Sequence, residues 1–161
     1  MDVLVVCLPT YNERENLEAM VSALGEVLPD DGRVLVIDDN SPDGTGEIAD
    51  RLASERDDVD VLHRERKEGL GPAYLAGFRR ALEMGADLVM EMDCDFSHNP
   101  ADVPRLVAAA QDADVVLGSR YASGGGTKNW GLVRRLISRG GSLYAQILLG
   151  TKVAKIEPAA D

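Results

Sequence analysis

The chain has 161 residues and a formal net charge of −11 at pH 7. This length suits one domain with a hydrophobic core and excludes two domains of ordinary size. Hydrophobic residues make up 45% of the sequence, and no apolar run approaches the roughly 18 residues that a membrane-spanning helix requires. We therefore expect a single globular unit that does not cross a membrane.

The first apolar run, Val3–Leu8, ends at Pro9 and lacks both the basic flank and the length of a secretory signal, so it predicts a buried strand. The two cysteines, Cys7 and Cys94, are too few for a disulfide framework and form no CxxC pair. We expect both to be small core residues of a protein in a reducing cytoplasm.

Four further apolar runs follow, and helical patterns lie between them. This alternation is typical of a parallel sheet covered by helices. Right-handed crossovers then give an open, mainly parallel α/β sheet of Rossmann-like type with helices on both faces. The other predicted strands are Val34–Ile37, Val59–Leu62, Leu88–Met92 and Val115–Leu117.

The predicted helices are recognised by apolar residues at helical spacing. The first has its apolar face between Leu17 and Leu28, and Asn12 with Glu15 is predicted to form a capping box at its start. A long loop and one more helix follow the fifth strand. The other helices between strands are predicted around Ile48–Leu52, Leu75–Leu82 and Leu106–Ala110.

Polar residues directly follow four of the predicted strands. Open α/β sheets bind ligands beyond the carboxyl ends of their strands, so we expect these residues to share one cleft. Residues 122–129 include three consecutive glycines and are a candidate lid. The polar clusters occupy residues 9–13, 38–45, 93–98 and 118–121.

Asp93 and Asp95 are alternate residues after the fourth strand, so a turn there can direct both carboxylates toward one cation. Magnesium ions are commonly held by one or two carboxylates together with substrate phosphates. Such a cation neutralises the charge on a departing diphosphate. The alternative is a solvated turn that caps the next helix.

Asp38, Asp39 and Asp43 follow the second strand. A carboxylate in this place can accept hydrogen bonds from a nucleobase or a ribose hydroxyl. Alternatively it orders the turn, which we expect for at least one of Asp38 and Asp43. His63 and His98 lack a partner at metal-ligand spacing; we interpret His63 as structural and His98 as at most supporting a neighbouring site residue.

The charge is unevenly distributed along the chain. Residues 1–114 have a net charge of −16 and residues 115–161 a net charge of +5, with no acidic residue between Val115 and Ile156. Such a basic segment suits phosphate groups or an anionic membrane face. A solvated basic helix is the alternative.

Six motifs occur in unbroken order: Pro-Thr-Tyr-Asn-Glu at 9–13, Val-Ile-Asp-Asp-Asn-Ser-Pro-Asp-Gly-Thr at 36–45, Gly-Leu-Gly-Pro-Ala-Tyr at 69–74, Met-Asp-Cys-Asp-Phe-Ser-His-Asn-Pro at 92–100, Gly-Ser-Arg-Tyr at 118–121 and Trp-Gly-Leu-Val-Arg-Arg-Leu-Ile-Ser-Arg at 130–139. Together they resemble the inverting family 2 glycosyltransferases, and among these the dolichol-phosphate or polyprenol-monophosphate mannose synthases. The resemblance implies a GT-A nucleotide-diphospho-sugar transferase fold. It also implies transfer of mannose from GDP-mannose to dolichyl or polyprenyl phosphate.

The same resemblance assigns residues to the donor site. Asp93, Cys94 and Asp95 would meet the diphosphate and its Mg²⁺ or Mn²⁺, and Ser97 stands where some relatives have a further metal ligand. The residues implied to line the guanosine pocket are Pro9, Tyr11, Glu13, Ile37 and Asp39.

The resemblance further implies that Arg120 meets the sugar-phosphate region and acts with Asp93 and Asp95 in catalysis. Arg134 and Arg139 would receive the phosphate of the lipid, as guanidinium groups do. The expected partners are a nucleotide-sugar donor, a polyprenyl-phosphate acceptor, and a membrane surface or a membrane-anchoring protein, without nucleic acid. We expect the protein at the cytoplasmic face of a membrane.

The resemblance ends near Gly150, and Lys155 stands where relatives have Asp. We therefore expect a glycosyltransferase domain at 1–150, a divergent tail at 151–161, and C-terminal truncation. The alternatives are a transferase for UDP-glucose or another nucleotide sugar, and an inactive nucleotide-binding remnant. A receiver-type signalling domain is disfavoured because its acidic pair would follow the first strand.

Overall fold

The computed structural model describes residues 2–118 and 153–156. The chain divides into two compact units, Met1–Ala101 and Asp102–Asp161. Within the described ranges, none of the helices combines the length and the apolar character that crossing a membrane would require.

The first unit is built on a four-stranded sheet in the order β3-β2-β1-β4, and all of its strand pairs are parallel. The two central strands are almost wholly buried because helices cover both of their faces. This confirms the first four predicted strands and the parallel α/β class. The strands are β1 (Leu4–Thr10), β2 (Arg33–Asp38), β3 (Val59–His63) and β4 (Leu88–Glu91).

Three helices connect these strands: α1 (Leu17–Gly25), α2 (Thr45–Glu55) and α3 (Leu70–Glu83). α1 and α2 contact each other, and α2 also contacts β2 and β3. α3 packs over β1 and β2, where its small residues meet side chains of both strands. From β1 to β2 to β3 the chain moves toward one edge of the sheet, and it then crosses back to place β4 on the other side of β1. Right-handed crossovers therefore put α3 on the opposite face of the sheet from α1 and α2.

The start of α1 differs from the predicted capping box. The helix begins at Leu17 after Asn16, which makes no side-chain cap hydrogen bond, and Asn12 has a positive φ of 62°. The Asn12 N–H is instead satisfied by the Ser41 hydroxyl oxygen at 3.1 Å. Residues 12–14 therefore pack against the loop after β2 instead of starting a helix.

The buried face of α3 also differs from the prediction. Leu75 and Leu82 are 58% and 66% exposed. The face toward the sheet consists of Ala73, Tyr74, Gly77 and Ala81, with Phe78 partly buried beside it. Apolar residues recur at helical spacing on both of these faces of α3. The prediction was based on the larger side chains, whereas close contact with the sheet requires the smaller ones.

The second unit contains α4 (Val103–Ala110), β5 (Val115–Gly118) and β6 (Val153–Ile156). β5 and β6 form a parallel pair in which Val115 lies opposite Val153, and α4 contacts both strands. This confirms the fourth helix and the fifth strand. β6 was not predicted, because four residues interrupted by Lys155 give no clear strand pattern. Among the described residues, β5 and β6 form a sheet of two strands.

Candidate functional site

A cleft of about 300 Å³ lies at the carboxyl ends of β1, β2 and β4 in the first unit. It lies where an open parallel sheet is expected to bind its ligand. The loops after these three strands, the segment between β3 and α3, and the first turn of α3 form its walls. Residues expected to form the donor site that do line it are Pro9, Tyr11, Glu13, Asp39, Asp93, Cys94 and Asp95.

The loop after β2 holds the loop after β1 in place. The backbone N–H of Glu13 donates to the Thr45 hydroxyl oxygen at 3.0 Å, and that of Arg14 donates to Oδ2 of Asp43 at 3.3 Å. Outside helices and strands, backbone N–H groups find such partners in side chains of neighbouring loops. The motif at 36–45 therefore fixes the position of Tyr11 and Glu13 as well as supplying Asp39.

Two of the three aspartates after β2 order the turn. Asp38 accepts hydrogen bonds from the backbone N–H and the hydroxyl of Ser41, and Asp43 accepts them from the backbone N–H and the hydroxyl of Thr45. This confirms the interpretation that at least one of Asp38 and Asp43 has a turn-forming role. Of the three, Asp39 is the one that lines the cleft.

Tyr11 and Lys67 both line the cleft and contact each other, with Nζ of Lys67 3.7 Å from the centroid of the Tyr11 ring. This is a cation–π contact. Lys67 is the one basic residue among the described residues that line the cleft, and it stands against four carboxylates. The cleft is therefore acidic, and an anionic ligand needs additional positive charge to bind there. The acidic lining residues are Glu13, Asp39, Asp93 and Asp95.

The two aspartates after β4 are held by their neighbours. The Tyr74 hydroxyl donates to Oδ1 of Asp93 at 3.2 Å, and the backbone N–H of Asp93 donates to Nδ1 of His98 at 3.1 Å. Burial raises the pKa of the Tyr74 phenol, and the Asp93 charge adds to this effect, so the phenol remains a donor at neutral pH. His98 thus holds the backbone at Asp93 in place, in agreement with the interpretation that it supports a neighbouring site residue.

Asp95 lies at a sharp turn in which Phe96 has a positive φ of 59°. The backbone N–H of Ser97 donates to Oδ1 of Asp95 at 2.9 Å. Hydrogen bonds from the Ser97 hydroxyl and backbone lower the pKa of Asp95 below its ordinary value. The Asp95 carboxylate is therefore ionised at neutral pH and lines the cleft.

The donor set fits a divalent cation that is shared with a bound ligand. Within residues 2–118 and 153–156 there is no cluster of three or more His, Cys, Asp or Glu side chains that could hold a metal ion without help. Asp93 and Asp95 line one cleft, and each has one carboxylate oxygen engaged by a neighbouring group. Two carboxylates with phosphate oxygens are a usual environment for Mg²⁺.

Ile37 and Ser97 do not line the cleft. Ile37 is fully buried, and its side chain packs under α3 beside Gly77. Alternation along β2 directs the Ile37 side chain into the core, so the assignment of Ile37 to the nucleoside pocket stays a prediction. Ser97 is exposed and bonds to Asp95, which indicates a role in orienting that carboxylate.

Cys7 and Cys94 are buried free thiols, in agreement with their interpretation as small core residues. Burial raises the pKa of each thiol to about 12, so both are neutral at physiological pH. Cys94 contributes to the cleft wall without reactive thiolate character.

Several residues with roles expected from the sequence lie outside the described ranges. These are Arg120, Arg134 and Arg139, together with the candidate lid at 122–129. Their roles remain predictions from the sequence.

Sequence reasoning missed three contributors to the site: Lys67, Tyr74, and Arg64, whose guanidinium group pairs with the Asp39 carboxylate. Arg64 and Lys67 belong to a run of charged residues after β3, which is typical of a solvated loop. Tyr74 ends the motif at 69–74, which was recognised without a role for its phenol. The position of that motif at the start of α3, next to the strand ends, was the available signal.

His63 lies between two carboxylates at the end of β3. Its Nε2 is 2.8 Å from Oδ1 of Asp50 and its Nδ1 is 3.7 Å from Oδ2 of Asp38. The hydrogen bond to Asp50 raises the pKa of the His63 imidazole above its ordinary value, and the charges of Asp50 and Asp38 add to this. This supports the structural interpretation of His63.

Replacing His63 with Gln should reduce stability more at pH 6 than at pH 8.5. A raised pKa in the folded state means that the stabilisation is fully present below the unfolded value of about 6.5 and is lost as pH rises through the folded value. Urea unfolding of both proteins at the two pH values measures the difference. Asp50→Asn should weaken the same pH dependence, and an equal loss from His63→Gln at both pH values would contradict this origin.

Comparison with known proteins places the chain in one family. A protein-family model described as Glycosyl transferase family 2 matches residues 5–157, beyond Gly150. The chain is similar to the undecaprenyl-phosphate mannosyltransferase of Micrococcus luteus, with 50% identity over 97% of this chain and 63% of that protein. It is also similar to the polyprenol monophosphomannose synthase of Mycolicibacterium smegmatis, with 46% identity over 94% of this chain and 58% of that protein.

Thus the chain spans about three fifths of the length of these two curated relatives. Among solved structures, it resembles a mannosyltransferase from Pyrobaculum calidifontis in complex with GDP-Man and Mn²⁺, with a TM-score of 0.69 and 20% identity over 97% of this chain and 55% of that one. At this identity the likeness establishes the GT-A fold alone. The family match covers nearly the whole chain, including every motif that forms the cleft, and the chain therefore belongs to glycosyl transferase family 2.

Proposed function

We propose that this protein transfers mannose from GDP-mannose to dolichyl or another polyprenyl phosphate, with inversion at the anomeric carbon. The observation that carries the proposal is the cleft, whose lining combines the Tyr11 ring and the Asp39 carboxylate with the carboxylates of Asp93 and Asp95. The names of the two curated relatives support a polyprenyl-phosphate acceptor and a mannosyl group.

The nucleoside of the donor would bind between Tyr11 and Asp39. The Tyr11 ring offers an aromatic face to the base, and Asp39 offers a carboxylate that accepts hydrogen bonds from base N–H groups. Lys67 now covers the Tyr11 face and would have to move aside for a stacked base. Its ammonium could then pair with the diphosphate.

Asp93 and Asp95 would hold Mg²⁺ or Mn²⁺ together with the donor diphosphate. When bound, this cation supplies positive charge that offsets the charge developing on the departing GDP. Tyr74 and Ser97 keep the two carboxylates oriented toward the cleft. This arrangement avoids direct repulsion between the diphosphate and the acidic cleft.

The acceptor needs no strong general base, because a phosphate monoester is already anionic at neutral pH. A phosphate oxygen would form a bond to the anomeric carbon while the bond from that carbon to the GDP oxygen breaks, and the electron pair leaves with GDP. The protein's contribution to this step is positioning and charge stabilisation.

From the sequence, we assign Arg120 to the sugar phosphate and Arg134 and Arg139 to the phosphate of the lipid acceptor. The positive charge of residues 115–161 supports an anionic partner. A polyprenyl phosphate is anchored in a bilayer, so we propose that the protein acts as a peripheral protein at the cytoplasmic face of a membrane, directly or through a membrane-anchoring partner.

Nucleotide selectivity tests the donor assignment. In the presence of Mn²⁺, isothermal titration should show GDP and GDP-mannose binding at least about tenfold more tightly than UDP and UDP-glucose, because guanine offers Asp39 two adjacent donors where uracil offers one. Preference for UDP-glucose would favour a related transferase. Binding of GDP without mannosyl transfer to polyprenyl phosphate would favour a nucleotide-binding remnant.

A further inference from the structure

We propose that Arg64 is a positioning residue that sets the base selectivity of the cleft by holding the Asp39 carboxylate in one orientation. This inference rests on the proposed function, because it concerns how the nucleoside half of that site reads a base. Arg64 lies outside the set of residues that line the cleft and would act through Asp39.

Arg64 reaches Asp39 from the neighbouring strand. It is the first residue after β3, and its backbone N–H donates to the carbonyl oxygen of Asp38 at 2.8 Å. Its side chain returns toward the cleft, where Nη1 donates to Oδ1 of Asp39. Nη2 donates to Oε2 of Glu68 at 2.9 Å, so the guanidinium group is held at two points.

The ion pair is shielded from solvent. The side chains of Arg64 and Asp39 are only 10% and 8% exposed. Exposed ion pairs contribute little, but a shielded pair with direct hydrogen bonds has a defined geometry, and loss of one partner leaves the other charge uncompensated. The pair therefore restricts the orientation of the Asp39 side chain.

The backbone around Asp39 is fixed as well. The Asp39 N–H donates to the carbonyl oxygen of Thr10 at 3.1 Å. Asn40, which has a positive φ of 58°, donates from Nδ2 to the carbonyl oxygen of Glu65 at 3.1 Å. The loops after β1, β2 and β3 are thus tied together at Asp39, and rotation of its side chain is the remaining freedom that Arg64 removes.

A carboxylate fixed in this way can discriminate between bases. Arg64 occupies Oδ1, and among the described residues Oδ2 has no hydrogen-bond donor. Guanine presents an N1–H donor next to its 2-amino group, whereas hypoxanthine has the same N1–H and lacks the amino group. Hydrogen bonds weaken steeply when misaligned, so only an oriented carboxylate gains full benefit from both guanine donors.

The test compares GDP with IDP, which differ only in the 2-amino group. Titration of the whole chain in the presence of Mn²⁺ should give a GDP preference of about tenfold over IDP for the unaltered protein. Arg64→Gln should reduce this ratio to about threefold or less, mainly by weakening GDP binding. Arg66→Gln is the matched control, because exposed Arg66 also pairs with Glu68 but makes no contact with Asp39.

The ratio of the GDP and IDP affinities distinguishes a role of Arg64 in orienting Asp39 from a role in stabilising the fold, because loss of stability should weaken both ligands equally. If Arg64→Gln weakens GDP and IDP equally, or if Arg66→Gln narrows the ratio as much, the inference is overturned. Arg64→Lys keeps the charge without the planar fork and should give an intermediate ratio, which provides a second test if the Gln variant does not fold. An Arg64→Lys ratio equal to that of the unaltered protein would also overturn the inference.

The outcome also separates this inference from the proposed function. If the unaltered chain binds GDP but does not distinguish it from IDP, Arg64 has no selectivity to set and only the inference fails. If the chain binds no nucleoside diphosphate in Mn²⁺, the proposed function fails and the inference fails with it.

Discussion

Replacing Asp95 with Asn should abolish most of the cation-dependent binding of GDP while leaving the fold intact. The change removes a negative charge from the cleft but keeps the shape of the side chain and an oxygen that can accept the Ser97 N–H. With one carboxylate fewer, the site should hold the cation weakly, and the GDP affinity in Mn²⁺ should fall at least about tenfold, or about 1.4 kcal/mol. Isothermal titration in Mn²⁺ and in EDTA measures this.

The matched control is Asp57→Asn, the same change in an exposed turn before β3. It should leave both the affinity and the cation dependence unchanged. Equal GDP affinity in EDTA and in Mn²⁺ for the unaltered protein would remove the basis for a cation at Asp93 and Asp95. If Asp95→Asn instead strengthened binding in Mn²⁺, repulsion between this carboxylate and the diphosphate would be the dominant effect.

The negative charge of the cleft explains why we expect GDP binding to depend strongly on a divalent cation. Four carboxylates and one ammonium group line the cleft, so an added diphosphate meets net negative charge. Attraction to Lys67 alone does not offset this repulsion. A divalent cation between Asp93, Asp95 and the phosphates reverses the local balance.

The strands and the general place of the site could be predicted because they depend on strong, local signals. Continuous apolar runs such as those of β1 and β2 indicate strands buried on both faces, and polar residues at their carboxyl ends indicate the binding edge. The resemblance then identified the individual residues. Three residues that it assigned to the donor site, Asp39, Asp93 and Asp95, all line the cleft.

What could not be predicted depends on contacts between distant segments. Arg64 binds Asp39 across 25 positions of sequence, and Tyr74 binds Asp93 across 19. No local pattern distinguishes Arg64 from Arg66, which lies two residues later and is 78% exposed. The capping box at Asn12 failed for the same reason, since the loop after β2 provides its partner.

Replacing Gly77 with Ala should lower the free energy of unfolding, although Ala normally stabilises a helix relative to Gly. A β-carbon at Gly77 would overlap Cδ1 of Ile37 and lie 3.2 Å from Sγ of Cys7. Both neighbours are completely buried in the core between α3 and the sheet, so neither can move into solvent. Overpacking of this kind costs about 1–3 kcal/mol, and with two fully buried neighbours we expect a cost above the gain of about 1 kcal/mol in helix propensity.

Gly71→Ala provides the matched control in the same helix. Nothing lies within 4 Å of a β-carbon at Gly71, so this variant should be as stable as the unaltered protein or up to about 1 kcal/mol more stable. The urea concentration at the unfolding midpoint should therefore fall for Gly77→Ala and stay the same or rise for Gly71→Ala. Because Leu70 and Ala73 of α3 line the cleft, a shift of the helix in Gly77→Ala should also weaken GDP binding. Equal stability of the two variants would show that Ile37 and Cys7 can repack, and that the close approach of α3 to the sheet does not limit the fold.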